Sequence, residues 1–266
     1  MLKTNKDVEV SDWKDLQEKI FTGSWDKNIN RFRSPYVFKG HYDKSHELTT
    51  SLMRLGNHPA KIERNLFRNF KKYAPRDTVT EDNDWLWLSV AQHHGLPTRL
   101  IDWSFSPYIA LHFMCENIDH FDVDGVVWCV DFYGTTGYLP DDFKKALESE
   151  NAKAFDVTIL KSVCPQVRGL DKYYEEKGDF MVFFEPPSMD ERIINQFALF
   201  AFMSAPDVLA NDWLNNYGDL YFRLIIPAKL KWEIRDKLDQ INITERMIYP
   251  GLDGLSKWLK RWYTKL

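Results

Sequence analysis

The sequence predicts an α+β fold: a single mixed domain with a central β-sheet core flanked by helices. Three observations lead there. Apolar runs of strand length recur at GVVWCVDF (125–132), FMVFFEPP (180–187), QFALFAFMS (196–204) and DLYFRLIIP (219–227). Stretches with apolar residues at helical spacing lie among them, and the two kinds mix without a regular βαβ alternation. No internal repeat, low-complexity stretch or linker divides the chain.

Each element has a local reason. A short helix starts at Ser11, with Trp13, Leu16 and Ile20 spaced for one buried face and Asp12 favourable beside its N-terminus. It belongs to an N-terminal helical extension over residues 1–29. Tyr36 to Phe38 is a short strand, and Gly40 permits a turn or a close backbone approach. In KIERNLFRNFKKYAPR, a helix over 60–74 places Ile62, Leu66, Phe70 and Tyr73 on one face. Arg64, Arg68, Lys71, Lys72 and Arg76 decorate the rest, either as a solvated face or as a binding patch. Asn83 or Asp84 caps a helix carrying Trp85, Leu88 and Ala91, which Gly95 and Pro97 stop.

Thr98 to Ser104 is a strand whose end feeds the helix opened by Ser106 and Pro107, which runs through Ile109, Ala110, Phe113 and Met114. Residues 134–180 are polar and mixed, without a clear period. Pro227 opens a helix with the stripe Leu230, Ile234, Leu238 and Ile241. A last helix follows Pro250, with Trp258, Leu259 and Trp262 as its buried side. Residues 30–205 thus form the core, and 206–266 supply a C-terminal strand and helices packed on the same domain.

The 266 residues suffice for a sizeable core, and 44% hydrophobic with 28% charged residues is ordinary globular composition. A net charge of −4 argues against gripping nucleic acid with the whole surface. No apolar run approaches a bilayer span, and residues 1–10 lack the apolar core of a signal peptide, so no membrane partner and a cytoplasmic location are expected. Cys115, Cys129 and Cys164 are odd in number and scattered, which suits reduced core thiols. His93 and His94 are adjacent, so on a helix they point about 100° apart and cannot easily share one ion; no metal is expected. Gly-rich phosphate loops and a GxSxG elbow are absent.

The densest chemistry lies in AQHHGLPTRLIDWSFSPYIALHFM, residues 91–114. Lys39, Arg54, His94 and Arg99, with Asp102 as a partner, suit a phosphorylated ligand. Arg99 either grips phosphate or clamps Asp102 in a buried ion pair, and a direct contact between the two is expected. His94, at a helix C-terminus, is expected nearer the site than His93. Trp103 is a core aromatic or stacks on a base. Glu185 follows an apolar strand and precedes two prolines, where apolar surroundings raise its pKa, or else it is a solvated loop carboxylate.

These residues closely resemble the signature of the FRG domain, a bacterial and phage family. Its Phe-Arg-Gly strand corresponds to Phe38, Lys39 and Gly40, followed by Leu48, Leu52 and Arg54. Its long block corresponds to Ala91 through Phe113, with Ile101 and Ser104 as mild substitutions, and a later element to Arg192, Ile193, Gln196 and Phe200. The resemblance covers about residues 30 to 205. Lys39 stands where the family has Arg, keeping the charge but not the planar fork, and Ala198 stands where Gly is usual.

The family's layout is in turn similar to ADP-ribosyltransferases, which implies an ADP-ribosyltransferase-like fold and an enzyme using NAD on a nucleic-acid or protein target. The implied setting is a toxin–antitoxin pair or phage defence, with a neutralising partner. By that resemblance Lys39 and Arg99 meet the NAD diphosphate, with Arg54 and His94 completing the cationic set, and Trp103 and Ser104 line the nicotinamide ribose. Glu185 and Asp102 are the candidate catalytic carboxylates; sequence does not choose between Glu185 and Glu191. Gln196 stands where a Gln-x-Glu pair would be sought, yet residue 198 is Ala. Two other classes remain open: a non-catalytic nucleic-acid or protein binding module using the basic helix, and a metal-dependent hydrolase gathering Asp102, Glu185 and Glu191.

Overall fold

A computed structural model describes residues 6–75 and 77–264; Arg76 of the basic helix lies outside them. The strands are β1 (Asp7–Glu9), β2 (Trp25–Asp26), β3 (Arg31–Phe32), β4 (Tyr36–His41), β5 (Ile101–Ser104), β6 (Gly125–Asp131), β7 (Met181–Phe184), β8 (Ala198–Met203) and β9 (Tyr221–Ile226). Seven form one sheet in the order β1-β9-β6-β4-β5-β8-β7, while β2 and β3 make a separate two-stranded ribbon. Every neighbour in the large sheet is antiparallel except β1 on β9. The fold is therefore mixed α+β around a mostly antiparallel sheet, flanked by helices.

Side-chain alternation builds two different faces. Val37, Trp103, Trp128, Phe183, Leu199 and Ala201 share one continuous core on the first face. On the second face the apolar residues divide. Phe38, Val127, Cys129 and Leu224 pack with the helices Pro107–Met114 and Lys231–Gln240 in one cluster. Val182, Phe184, Phe200 and Phe202 pack with Trp85 and Leu88 of the helix Asp84–His93 in another. The middle of the sheet lies between these clusters, and there β4 and β5 are paired at a single position, Phe38 with Ser104. By contrast β4 pairs with β6 at six positions. The sheet is whole on either side and open at its centre.

Several expectations change. Residues 7–9 add a strand beside β9, so the N-terminal segment is not only helical; its helix spans Trp13–Ile20 and is capped by Asp12, which accepts from the Asp15 amide. Gly40 lies inside β4, not in a turn: a Cβ there would fall 1.9 Å from the Ala110 carbonyl oxygen, so the missing side chain lets the helix Pro107–Met114 lie directly on the strand. Residues 134–180 are largely helical, with helices at Asp141–Ser149, Val157–Val163 and Leu170–Lys177.

In the helix Pro59–Tyr73 the buried residue is Glu63, while Ile62, Leu66 and Phe70 are half-buried and Tyr73 is exposed. In the last helix, Leu252–Trp262, Leu259 and Trp262 are exposed and Trp258 is half-buried. The residue that docks this helix is Arg261, whose guanidinium donates to Glu245 and Asp239. Both helices seat a charge because a buried partner of opposite sign waits for it. No helix among the described residues is long and apolar enough to cross a membrane.

Candidate functional site

A cavity of about 300 Å³ occupies the open centre of the second face. Its floor is β4, β5 and β8 at Gly40, Asp102 and Ala198. The ends of two helices supply Gln92, His93 and Phe113 as walls, and Glu116, Arg192 and Gln196 close the rim.

The Gly-Leu-Pro-Thr break explains how Asp102 is presented. Gly95, at φ 80, lets the chain turn back, and the amides of Gly95 and Leu96 close the helix end on the carbonyls of Gln92 and Ala91. Gln92 is thereby left above β5. Thr98 accepts from the Leu100 amide and donates its hydroxyl to Gln92 Oε1 at 2.5 Å, which fixes the amide so that Nε2 faces Asp102. The Asp102 carboxylate is exposed toward the cavity.

Lys39 bridges the opening in the sheet. Its ammonium donates to the main-chain oxygen of Asp102 at 3.1 Å, satisfying a carbonyl that the interrupted β4–β5 ladder leaves unpaired. Burial lowers the Lys39 pKa, Asp102 opposes the shift and Arg54 adds to it. Beside it, burial pushes His41 down to about 3, with Lys39 adding to the effect, and its Nε2 has no hydrogen-bond partner among the described residues. Arg54 itself is exposed and donates to the Thr49 carbonyl. It stands near Lys39 without lining the cavity.

The expected Arg99–Asp102 contact is not made. Arg99 is buried and forms a two-pronged pair with Glu63, Nε to Oε1 at 2.7 Å and Nη2 to Oε2 at 2.5 Å, and adds a bond to the Ser204 carbonyl. Arg99 lies at a bend ahead of β5, which begins at Ile101, so its side chain goes to a separate groove beneath the basic helix while Asp102, on the strand, faces the cavity. That groove, about 580 Å³, also meets Arg64, Arg68, Lys71 and Arg168. Arg64 is paired with Asp171, and Lys71 with Asp82 and Asp84.

Nor does His94 approach the cavity. It is exposed beyond the helix end, and His93 lines the cavity instead, with Nε2 2.5 Å from Asp190 Oδ2. Burial lowers the His93 pKa against the opposing pull of Asp190. Trp103 borders the cavity, but its side chain is core: it is 3% exposed, with its ring 5.8 Å from that of Phe183. The Ser104 hydroxyl donates to the Gln196 carbonyl and accepts from the Ser106 amide, so it ties β5 to the chain entering β8.

Glu185 sits just past β7, the edge strand, and its amide donates to the Phe155 carbonyl. Partial burial raises its pKa and Asp156 adds to the shift. It does not line the cavity, and Lys39, Arg99 and Glu185 do not converge. Glu191 is exposed in the first turn of the helix Glu191–Asn195 and lines a neighbouring open cleft.

Gln92 and Glu116 are wall and rim residues that sequence reasoning gave no role, while Arg192 and Gln196, noted there only as part of a family-like element, also reach the rim. Gln92 had a signal, since it lies inside the dense segment of residues 91–114 with Asp102. Glu116 had none. Among the described residues no group of three His, Cys, Asp or Glu side chains is placed to hold a metal ion, and Cys115, Cys129 and Cys164 are free and buried.

Residues 34–123 match the family model of the FRG domain. No curated protein and no solved structure matches the chain.

Proposed function

Starting from the FRG-domain match of residues 34–123, we propose that the chain is an NAD-dependent ADP-ribosyltransferase-like enzyme acting on a nucleic-acid or protein target. In this reading the central cavity takes NAD, and Asp102 is the catalytic carboxylate. The observation that carries it is the presentation of Asp102: a carboxylate open to a concave site, with both oxygens held by Gln92 Nε2 at 2.9 Å. Cleavage of the nicotinamide bond builds oxocarbenium-like charge on the ribose. A fixed carboxylate facing that charge stabilises the transition state more than the ground state. Lys39 lies beside it as a cation for the anionic part of the ligand, while Arg99 and Glu185 take no part in this site.

A toxin or phage-defence setting with a neutralising partner belongs to the same proposal. The rival reading, a non-catalytic binding module, would use the groove under the basic helix. It is less favoured because Arg64, Lys71 and Arg99 already have carboxylate partners there.

Labelled NAD incubated with the protein and mixed cell extract tests the proposal. The wild type is expected to release nicotinamide and label a target. Asp102→Asn is expected to bind NAD within a few fold of wild type and to lose about a hundredfold or more in turnover. Absence of both label and nicotinamide, together with nucleic-acid binding that weakens on charge reversal at Arg68 and Lys72, would turn the assignment to the binding module.

A further inference from the structure

We infer that Arg192 is a diphosphate anchor and that the ligand is a dinucleotide lying across it, one half in the central cavity and the other in the neighbouring cleft. The inference rests on the cavity being a nucleotide site and adds where the ligand's charge and second half go. Arg192 lines both spaces, the cavity of about 300 Å³ and an open cleft of about 950 Å³ that also meets Asp190, Asp253 and Lys257. The cavity is at the small end of ligand pockets, with room for one nucleoside half. Whatever continues out of it past His93 passes over Arg192.

The guanidinium is held but not satisfied. It lies over the Tyr249 ring, 5.2 Å from the centroid, and among the described residues it has neither a hydrogen-bond partner nor a carboxylate within ion-pair distance. Of the acids around it, Glu116 and Asp190 are engaged elsewhere, while Glu191 and Asp253 line the open cleft without reaching ion-pair distance of Arg192. Glu116 accepts from the Tyr249 hydroxyl at 2.8 Å and lies 3.4 Å from the Lys257 ammonium. Asp190 gives one oxygen to His93 and the other to the Ile193 amide.

The cation–π contact holds the guanidinium against Tyr249 and leaves its N–H donors without a protein acceptor among the described residues, so they are free to meet two phosphate oxygens. Lys257, with its ammonium 4.0 Å from the same ring, adds a second cation beyond it. The backbone of this rim is also held: Asn195 and Gln196 donate to the carbonyls of Met247 and Ile248, so Arg192 projects from a pinned segment.

Calorimetric titration of wild type, Arg192→Ala and Arg192→Lys with NAD, ADP-ribose, nicotinamide riboside and pyrophosphate tests the inference, with thermal melts confirming that each variant is folded. Arg192→Ala is expected to weaken NAD, ADP-ribose and pyrophosphate by roughly tenfold or more and to leave nicotinamide riboside unchanged. Arg192→Lys is expected to fall between, because the charge stays and the fork is lost. Unchanged ADP-ribose affinity in Arg192→Ala, or equal weakening of nicotinamide riboside, overturns the anchor. So does a wild type that binds none of the four. Arg192-dependent binding of ADP-ribose without any turnover of NAD keeps the anchor and removes the transferase.

Discussion

Gln92 holds Asp102 by both carboxylate oxygens, at 2.9 Å each, and is itself held by the Thr98 hydroxyl. The relay runs from the helix end through the turn into β5, over residues 92 to 102, so the break in the chain and the aim of the carboxylate are one device. Gln92→Leu should lower turnover about ten- to a hundredfold while leaving ligand affinity and melting temperature nearly unchanged, because a misaimed group is lost mainly in the transition state. Thr98→Val should act in the same direction more weakly. Steady-state kinetics of nicotinamide release checks this; a Gln92→Leu enzyme with wild-type kcat would show that the relay does not position Asp102.

Glu63 and Arg99 form a different kind of pair. Their side chains are 9% and 4% exposed, so neither charge can relax into water when the other is removed. Glu63→Gln should destabilise the fold by about 3 to 5 kcal/mol in denaturant melts, whereas a double change of Glu63 and Arg99 to Leu should recover much of it. A Glu63→Gln protein within 1 kcal/mol of wild type would rule out a buried ionic clamp.

The contrast between these pairs shows what the sequence could and could not reveal. The apolar runs at 125–132, 180–187, 196–204 and 219–227 are strands because their residues are buried on both faces, and that is written locally. Asn83 and Pro107 likewise mark helix starts through their own chemistry. Strand order is not local. Glu185 ends a strand as its sequence suggests, but that strand is the sheet edge, separated from β5 by β8. Arg99 and Asp102 are near in sequence and part because a bend at Arg99 precedes the strand that carries Asp102, and Glu63 from a distant helix claims the guanidinium. The single-position pairing of β4 with β5, which opens the site, leaves no trace in either strand's composition. Arg192 and Gln196 reach the cavity from far along the chain by tertiary contact alone.

Gly40 is the tightest steric requirement near the site. A methyl group there would sit 1.9 Å from the Ala110 oxygen and 2.9 Å from the Met114 nitrogen, both backbone atoms that cannot swing away. Gly40→Ala should therefore push the helix Pro107–Met114 off β4 and destabilise the fold by about 1 to 3 kcal/mol or more. Lys39 shares that strand, so ligand binding should weaken as well. Chemical denaturation checks the first effect and titration the second. A stable Gly40→Ala protein with unchanged ligand affinity would mean that the strand and helix can separate without disturbing the cavity.

His112 makes stability depend on acid. It is fully buried, and its Nδ1 lies 2.8 Å from an Arg235 nitrogen that can only donate, so Nδ1 must be the unprotonated acceptor. Burial first, and then the positive charge of Arg235, hold its pKa down to about 3; Glu245 opposes them, and Arg261 and Lys257 add to them. The unfolded histidine takes up a proton below about 6.5 while the folded one does not, so the unfolded state binds more protons. The stabilisation is complete above about pH 6.5 and is lost as pH falls toward 3, at up to about 1.4 kcal/mol per pH unit. His41, also lowered to about 3, contributes with the same sign. Burial tends to raise the Glu245 pKa, but Arg261 overrides it and holds the group to about 2, adding stability that is lost between the ordinary carboxylate range and that value. His112→Gln keeps an acceptor for Arg235 and cannot titrate. Its melting temperature should be lower than wild type at pH 7, and the difference should shrink as pH falls from 6.5 to 4. Parallel melting curves for the two proteins across that window would show that His112 is not neutral in the fold.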